Sequence, residues 1–197
     1  MIVVVDTETT GLDNSVDEIL QLSIIDYFGR TLYNSYFKPV KHTEWLEAEK
    51  VNGITPEMVA DAPLFSDELP KINAILMKAH AVVGYNTQFD VGFLKAAGAS
   101  LPNDIEYVDV MREFAPVYGE WSEERQCFKW KKLIVCAEYY GYDWRKDSAH
   151  NSLSDCRATL YCYKKLKQQQ RKKPCHRIVK HERKAICSVT DSMEETM

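Results

Sequence analysis

The chain opens with an apolar, β-branched run at residues 2–5, which predicts a strand covered on both faces. Residues 19–28 predict a second strand closed by the turn Phe28-Gly29-Arg30, and residues 31–37 its hairpin partner, stopped by Pro39. Turn formers dominate residues 40–65, where Pro56 and Pro63 bracket one short helical piece. Leu69, Ile72, Ile75 and Leu76 recur at helical spacing and predict a helix over 66–79. A short strand at 81–83 and a helix carrying Phe89, Phe93, Leu94 and Ala97 follow, the helix ending at Gly98. A strand at 105–109 comes next, then a helix at 130–140 ended by Gly141. A last helix carries Leu153, Cys156, Leu160 and Tyr163. Three early strands followed by alternating helices and strands predict an α/β fold, a mixed sheet with helices on its faces.

Composition narrows this picture little. At 197 residues, 45% hydrophobic and 27% charged, the chain is an ordinary globular one. Collagen-like, coiled-coil and wholly disordered classes are excluded. Its apolar runs fall far short of the ~20 residues that span a bilayer, and nothing like a secretory leader precedes Ile2. No membrane partner is expected. The six cysteines form no Cys-x-x-Cys pair and read as reduced thiols of a cytoplasmic protein. The cluster Cys175, His176, His181 and Cys187 fits no trusted zinc spacing.

Charge divides the chain. Residues 1–163 carry 15 basic and 25 acidic groups, while 164–197 carry 10 basic and 4 acidic, an acidic body with a basic end. The pattern predicts a domain over 1–166 and a flexible tail over 167–197, basic and then acidic. That tail reads either as a polyanion contact or as a solvated helix end.

The candidate chemistry is acidic. Asp6-Thr7-Glu8 follows the first strand directly, and residues i and i+2 of an extended chain point the same way, ~6–7 Å apart. Two carboxylates so placed repel one another unless a cation lies between them. Mg²⁺ suits such a site, because it takes a few carboxylates and keeps positions for water and phosphate. The plainer alternative is a pair of solvated acids. Asp90 follows Asn86 in the first turn of its helix, where an acid is favourable in any case. His150 stands five residues before Asp155, which places it ahead of the helix that carries Asp155. An imidazole near a metal-bound water suits a general base, and a surface histidine is the plain alternative.

Taken in order, Asp6-Thr7-Glu8-Thr9-Thr10-Gly11-Leu12, Asn86-Thr87-Gln88-Phe89-Asp90 and His150-Asn151-Ser152-Leu153-Ser154-Asp155 resemble the three exonuclease motifs of the DEDDh family. This is the DnaQ-like group that includes the proofreading subunit of bacterial replicative polymerase and ribonuclease T. Residues 51–59 also look like the segment between that family's first two motifs. The resemblance covers about residues 1–166. It implies a ribonuclease H-like fold with a mixed five-stranded sheet, and a two-metal 3′→5′ exonuclease. By it, Asp6, Glu8, Asp90 and Asp155 hold two Mg²⁺ or Mn²⁺ ions and His150 is the general base. The substrate implied is the 3′ end of single-stranded or frayed nucleic acid, DNA before RNA, as in proofreading or repair. A DNA polymerase or repair complex is the implied partner. The main chain at Thr9 maps to the 3′-hydroxyl contact, with Asn52, Ile54, Phe89 and Phe93 as candidates around the last bases. Asn52 departs from the family, where histidine is common, and cannot carry charge. The rival readings are an RNA-trimming exoribonuclease and a non-catalytic module attached to a polymerase. Asp109 reads as a helix cap. The aromatic stretch 121–144, with Trp121, Trp130 and Trp144, reads either as a base-stacking surface or as packing.

Overall fold

A computed structural model describes residues 1–144 and 151–172. Strands β1 (Ile2–Thr9), β2 (Ile19–Asp26) and β3 (Thr31–Tyr36) form an antiparallel meander. β4 (Ala81–Gly84) and β5 (Glu106–Asp109) extend it in parallel, giving the order β3-β2-β1-β4-β5. The expected mixed five-stranded sheet is therefore present. Its helices are α1 (Leu46–Asn52), α2 (Pro56–Val59), α3 (Phe65–Leu76), α4 (Thr87–Ala96), α5 (Val110–Tyr118), α6 (Leu133–Tyr140) and α7 (Ser152–Lys172). A two-stranded ribbon, β6 (Trp121–Ser122) with β7 (Cys127–Phe128), joins α5 to α6.

Strand alternation divides the core in two. Val3 and Val5 of β1 face one way, into a cluster with Leu22, Ile24, Ile72, Leu76, Phe93 and Leu94 under α3 and α4. Val4 faces the other way, with Ile25, Val83, Phe114, Cys156 and Leu160 under α5, α6 and α7. Cys127, Cys136, Cys156 and Cys162 are free and buried.

β1 outruns its parallel neighbour. Only Ile2–Val4 pair with β4, whereas Asp6, Thr7 and Glu8 continue against Ser23, Leu22 and Gln21 of β2. The strand thus extends four residues past its apolar run, and its last part is open on one side. β4 ends in a tight turn. A Cβ on Gly84 would sit 2.9 Å from the Thr87 hydroxyl, and Asn86 takes a left-handed φ of 69°.

The β6–β7 ribbon, α1, α5 and the start of α6 differ from expectation. α1 has no buried side chain and hence no stripe to read. α5 holds Val110, Met111, Phe114 and Ala115 in the core although Pro116 and Gly119 punctuate it, and Asp109 caps it by accepting from the Met111 and Arg112 amides. α6 starts three residues late, at Leu133, because the carbonyls of Lys131 and Lys132 accept from the Tyr85 hydroxyl. α7 runs to Lys172, two residues short of the helix-breaking Pro174. Lys167 pairs with Glu113 at 2.9 Å, and Gln169 accepts from the Tyr140 hydroxyl at 3.0 Å, so its polar end docks on the domain. His150, the rest of the basic tail and the Cys175–Cys187 cluster lie outside the described residues.

Candidate metal centre

Asp6 and Glu8 lie on the α7 side of β1, and α7 brings Asp155 to them. Carboxylate oxygens of Asp6, Glu8 and Asp155 lie within 4.8 Å of one another, the one such cluster among the described residues. Residues 147 and 149 places apart meet because α7 is fastened to the sheet at its first turn. The Ser152 amide donates to Gln21 Oε1 at 3.2 Å, and the Ser152 and Ser23 hydroxyls are 2.6 Å apart. One turn on, the Cys156 thiol lies against the carbonyls of Val4 and Ser23.

Asp90 approaches from α4, on the other side of the strand. Its Oδ1 accepts from the Thr7 amide at 2.9 Å and from the Thr7 hydroxyl at 2.8 Å, and the residue is 3% exposed. It is not part of the three-acid cluster, yet its charge is felt there. Burial, and then the fields of Asp90, Asp155 and Glu8, hold the Asp6 carboxyl well above the usual range. Burial, Asp155 and Asp90 push Glu8 up to about 8. Burial pushes Asp90 up to about 7, against the two hydrogen bonds from Thr7. Acids crowded in this way favour either shared protons or a cation.

The donor set fits a hard divalent ion. All three clustered groups are carboxylates, with no thiolate or imidazole among them, the preference of Mg²⁺ and Mn²⁺. The loop beyond β1 is braced independently. Glu18 accepts from the amides of Val40, Lys41 and His42 and meets the His42 ring at 2.9 Å. Gly11 packs so closely on Asp17 that a Cβ would lie 2.4 Å from its carboxylate.

The candidate base contacts fare differently. Ile54 is 2% exposed and packs with Leu20, Trp45 and Val59; Phe93 is 2% exposed in the core under α4. Both pack chiefly in the core, and Phe93 also borders a cavity beside Phe65 and Ala97. Phe89 is only partly buried, its ring tilted against Phe93 with centroids 4.8 Å apart, and keeps a reachable surface. Asn52 donates to the Thr9 carbonyl at 3.2 Å and accepts from the Ile54 amide at 3.0 Å. Its amide thus ties α1 to the end of β1. Thr9 is buried, with its hydroxyl donating to the Gly11 carbonyl. In the aromatic stretch, Tyr139 lies against Phe114 at 5.2 Å and Trp121 against Phe128 at 5.1 Å. Sequence reasoning missed Thr7, Gln21, Ser23 and Ser152, whose only signal was a polar residue inside an otherwise apolar strand or helix start.

A family model described as an exonuclease matches residues 3–163, and the chain belongs to that exonuclease family. The chain is 32% identical over 165 residues to an uncharacterized exonuclease, CP81, of Escherichia phage 186, covering 79% of this chain and 82% of that protein. It is 29% identical over 168 residues to a PolC-type DNA polymerase III of Caldanaerobacter subterraneus subsp. tengcongensis. That match covers 83% of this chain but 11% of the polymerase. Among solved structures, exonuclease X in complex with 5′ overhanging duplex DNA superimposes with a TM-score of 0.64 at 19% identity, covering 86% of this chain and 92% of that one. The fold is thus the ribonuclease H-like one that the motifs implied, and the protein is a nuclease of the DnaQ-like exonuclease group. No helix among the described residues is long and apolar enough to cross a membrane.

Proposed function

We propose that this nuclease works from the 3′ end, releasing nucleotides from single-stranded or frayed DNA with two Mg²⁺ or Mn²⁺ ions. The observation that carries the reading is the convergence of Asp6 and Glu8 from β1 with Asp155 from α7. With Asp90 they supply four carboxylates to balance two dications. Bound there, the ions would lower the pKa of a water and neutralise charge at the scissile phosphate. The protein's own groups do the rest. Thr7 holds the Asp90 carboxylate in one orientation. His150, two residues ahead of α7 in sequence, takes the proton of the attacking water as general base. Without ions the cluster repels phosphate, so metal and nucleic acid bind together. Phe89 offers the reachable apolar surface for a terminal base. DNA as substrate is supported by the DNA complex of exonuclease X, and a polymerase partner by the PolC-type relative.

The test uses 5′-labelled single-stranded DNA and RNA of equal sequence with Mg²⁺, Mn²⁺ or EDTA. The expected result is a metal-dependent ladder shortening from the 3′ end, faster on DNA and absent with Asp155→Ala. In the same assay His150→Ala cuts about 10²–10⁴-fold more slowly. A faster RNA ladder would replace DNA with RNA trimming. No ladder on either substrate would overturn the reading in favour of a binding module.

A further inference from the structure

The face of the sheet that carries Asp6 and Glu8 also carries a closed ring of polar side chains. Cross-strand partners project to the same side, so Ser23 opposite Asp6 and Gln21 opposite Glu8 lie beside the acids. Asn34 of edge strand β3 continues the row opposite Ser23. Ser23 donates to Asn34 Oδ1 at 3.0 Å and Gln21 Nε2 donates to the same oxygen at 3.2 Å. The Ser152 amide donates to Gln21 Oε1, and the Ser152 and Ser23 hydroxyls meet at 2.6 Å.

Proton counting gives the ring one consistent direction. The Ser152 N–H requires the oxygen of Gln21 to face it, which leaves Nε2 for Asn34. Asn34 must then present its oxygen to both neighbours. Ser23 has one hydrogen, already directed at Asn34, so the Ser152 hydroxyl donates to Ser23. Ser23 and Ser152 are 0% exposed and Gln21 1%, whereas Asn34 is exposed. Two buried donors, the Ser23 hydroxyl and the Gln21 amide, are thus satisfied only while an exposed residue on the sheet edge holds its place. Ser152 begins α7, and Asp155 follows within one turn.

We propose that Asn34, Gln21, Ser23 and Ser152 are positioning residues for the metal centre, setting the start of α7 so that Asp155 reaches Asp6 and Glu8. This rests on the reading of the three acids as a cation site. The unusual element is Asn34. It lies two strands from β1, yet breaking its contacts should be felt at Asp155, although exposed substitutions are ordinarily near neutral.

The experiment compares Asn34→Leu, which removes the acceptor, with Asn34→Asp, which keeps it, and with Ser152→Ala, all in the full chain. Mn²⁺ binding is measured by calorimetry without nucleic acid, amide exchange is followed at Ser152 and Asp155, and kcat and KM are taken on a labelled oligonucleotide. Asn34→Leu and Ser152→Ala should weaken Mn²⁺ binding about tenfold, the lower end for residues that orient metal ligands, and speed exchange at Ser152. They should lower kcat with KM within about twofold, and Asn34→Asp should stay close to wild type. Equal behaviour of Asn34→Leu and Asn34→Asp, or an altered thermal midpoint with unchanged Mn²⁺ affinity and exchange, would overturn the proposal. A wild-type chain that binds Mn²⁺ but cuts nothing would sink the proposed function alone, because the ring would still be judged by affinity and exchange.

Discussion

Successive residues of β1 meet two different environments. Toward α4, Thr7 offers an amide and a hydroxyl to Asp90, so an acid meets two donors. Toward α7, Asp6 and Glu8 meet Asp155, so acid meets acid. The first side meets its acid with donors of the protein's own; the second has only like charges facing one another and is poised for something positive. Packing explains how both persist on one strand. Val3 and Val5 anchor one face, Val4 the other, and the charged half begins only where β4 has stopped pairing. A fold can hold an unfavourable cluster at the end of a strand whose beginning is buried on both sides.

The sharpest way to break this comparison is to remove one acid from the repelling side. Asp155→Asn keeps the shape and removes a charge. Activity should fall by more than the roughly 10–100-fold that loss of an outer-shell partner costs, if catalysis depends on that ligand. The metal-free protein should gain stability at pH 8, because burial and mutual repulsion already hold Asp6 and Glu8 well above the usual range. Each kcal/mol gained raises the thermal midpoint by about 2–4 °C for a chain of this size. Loss of activity with a lower metal-free midpoint would contradict the picture of Asp155 as a strained ligand.

The satisfied side should answer with the opposite sign. Thr7→Val removes the hydroxyl that bonds Asp90 but keeps the amide bond and the volume. Stability should drop by about 1.5–3 kcal/mol, the range for a hydrogen bond to a charged group. Turnover should slow by about tenfold as Asp90 loses one of its two tethers, within the range for partners of metal ligands. A denaturant titration and an initial-rate assay measure both. If Thr7→Val and Asp155→Asn shifted stability in the same direction, the two sides would not differ as described.

How far the sequence anticipated this arrangement follows from how local each signal is. Asp6 and Glu8 were legible because a buried run ends in two acids at strand spacing, a local pattern. Asp109 as a cap was local too. Asp90 and Asp155 became legible only through the family's motif order, since each alone sits where helices accept acids anyway. Thr7, Ser23, Gln21 and Asn34 were not legible, because their partners are fixed by strand register. Ile54 and Phe93 stayed ambiguous for a related reason: an apolar residue near a motif looks the same whether it faces a ligand or the core, and both are almost wholly buried. α1 escaped notice because it has no buried face.

The smallest expected effect is a slope. Burial and neighbouring acids raise Glu8 to about 8, and burial raises Asp90 to about 7. In the unfolded chain both titrate near the ordinary carboxylate value of about 4. A carboxylate with a raised folded pKa binds its proton more tightly in the folded state. Its contribution to stability is therefore full below about pH 4 and is lost as pH rises through about 7–8. Glu18 works the other way. Burial alone would push it up, but hydrogen bonds from His42 and the Val40, Lys41 and His42 amides hold it below the usual range. Its contribution rises with pH and is complete above about 5, so between pH 5 and 9 the slope belongs to the carboxyls that burial raises, the acids on either side of β1 together with Asp109. The metal-free thermal midpoint should fall across that window. Saturating Mg²⁺ should flatten it, because bound cations stabilise the ionised carboxylates and bind only the folded chain. Asp155→Asn should flatten it without metal, by removing one source of repulsion on Asp6 and Glu8, while Thr7→Val should steepen it by freeing Asp90 to hold its proton. A midpoint that rises from pH 5 to 9 in EDTA would mean that the three acids are not under mutual strain, and the contrast between the two sides of β1 would fail with it.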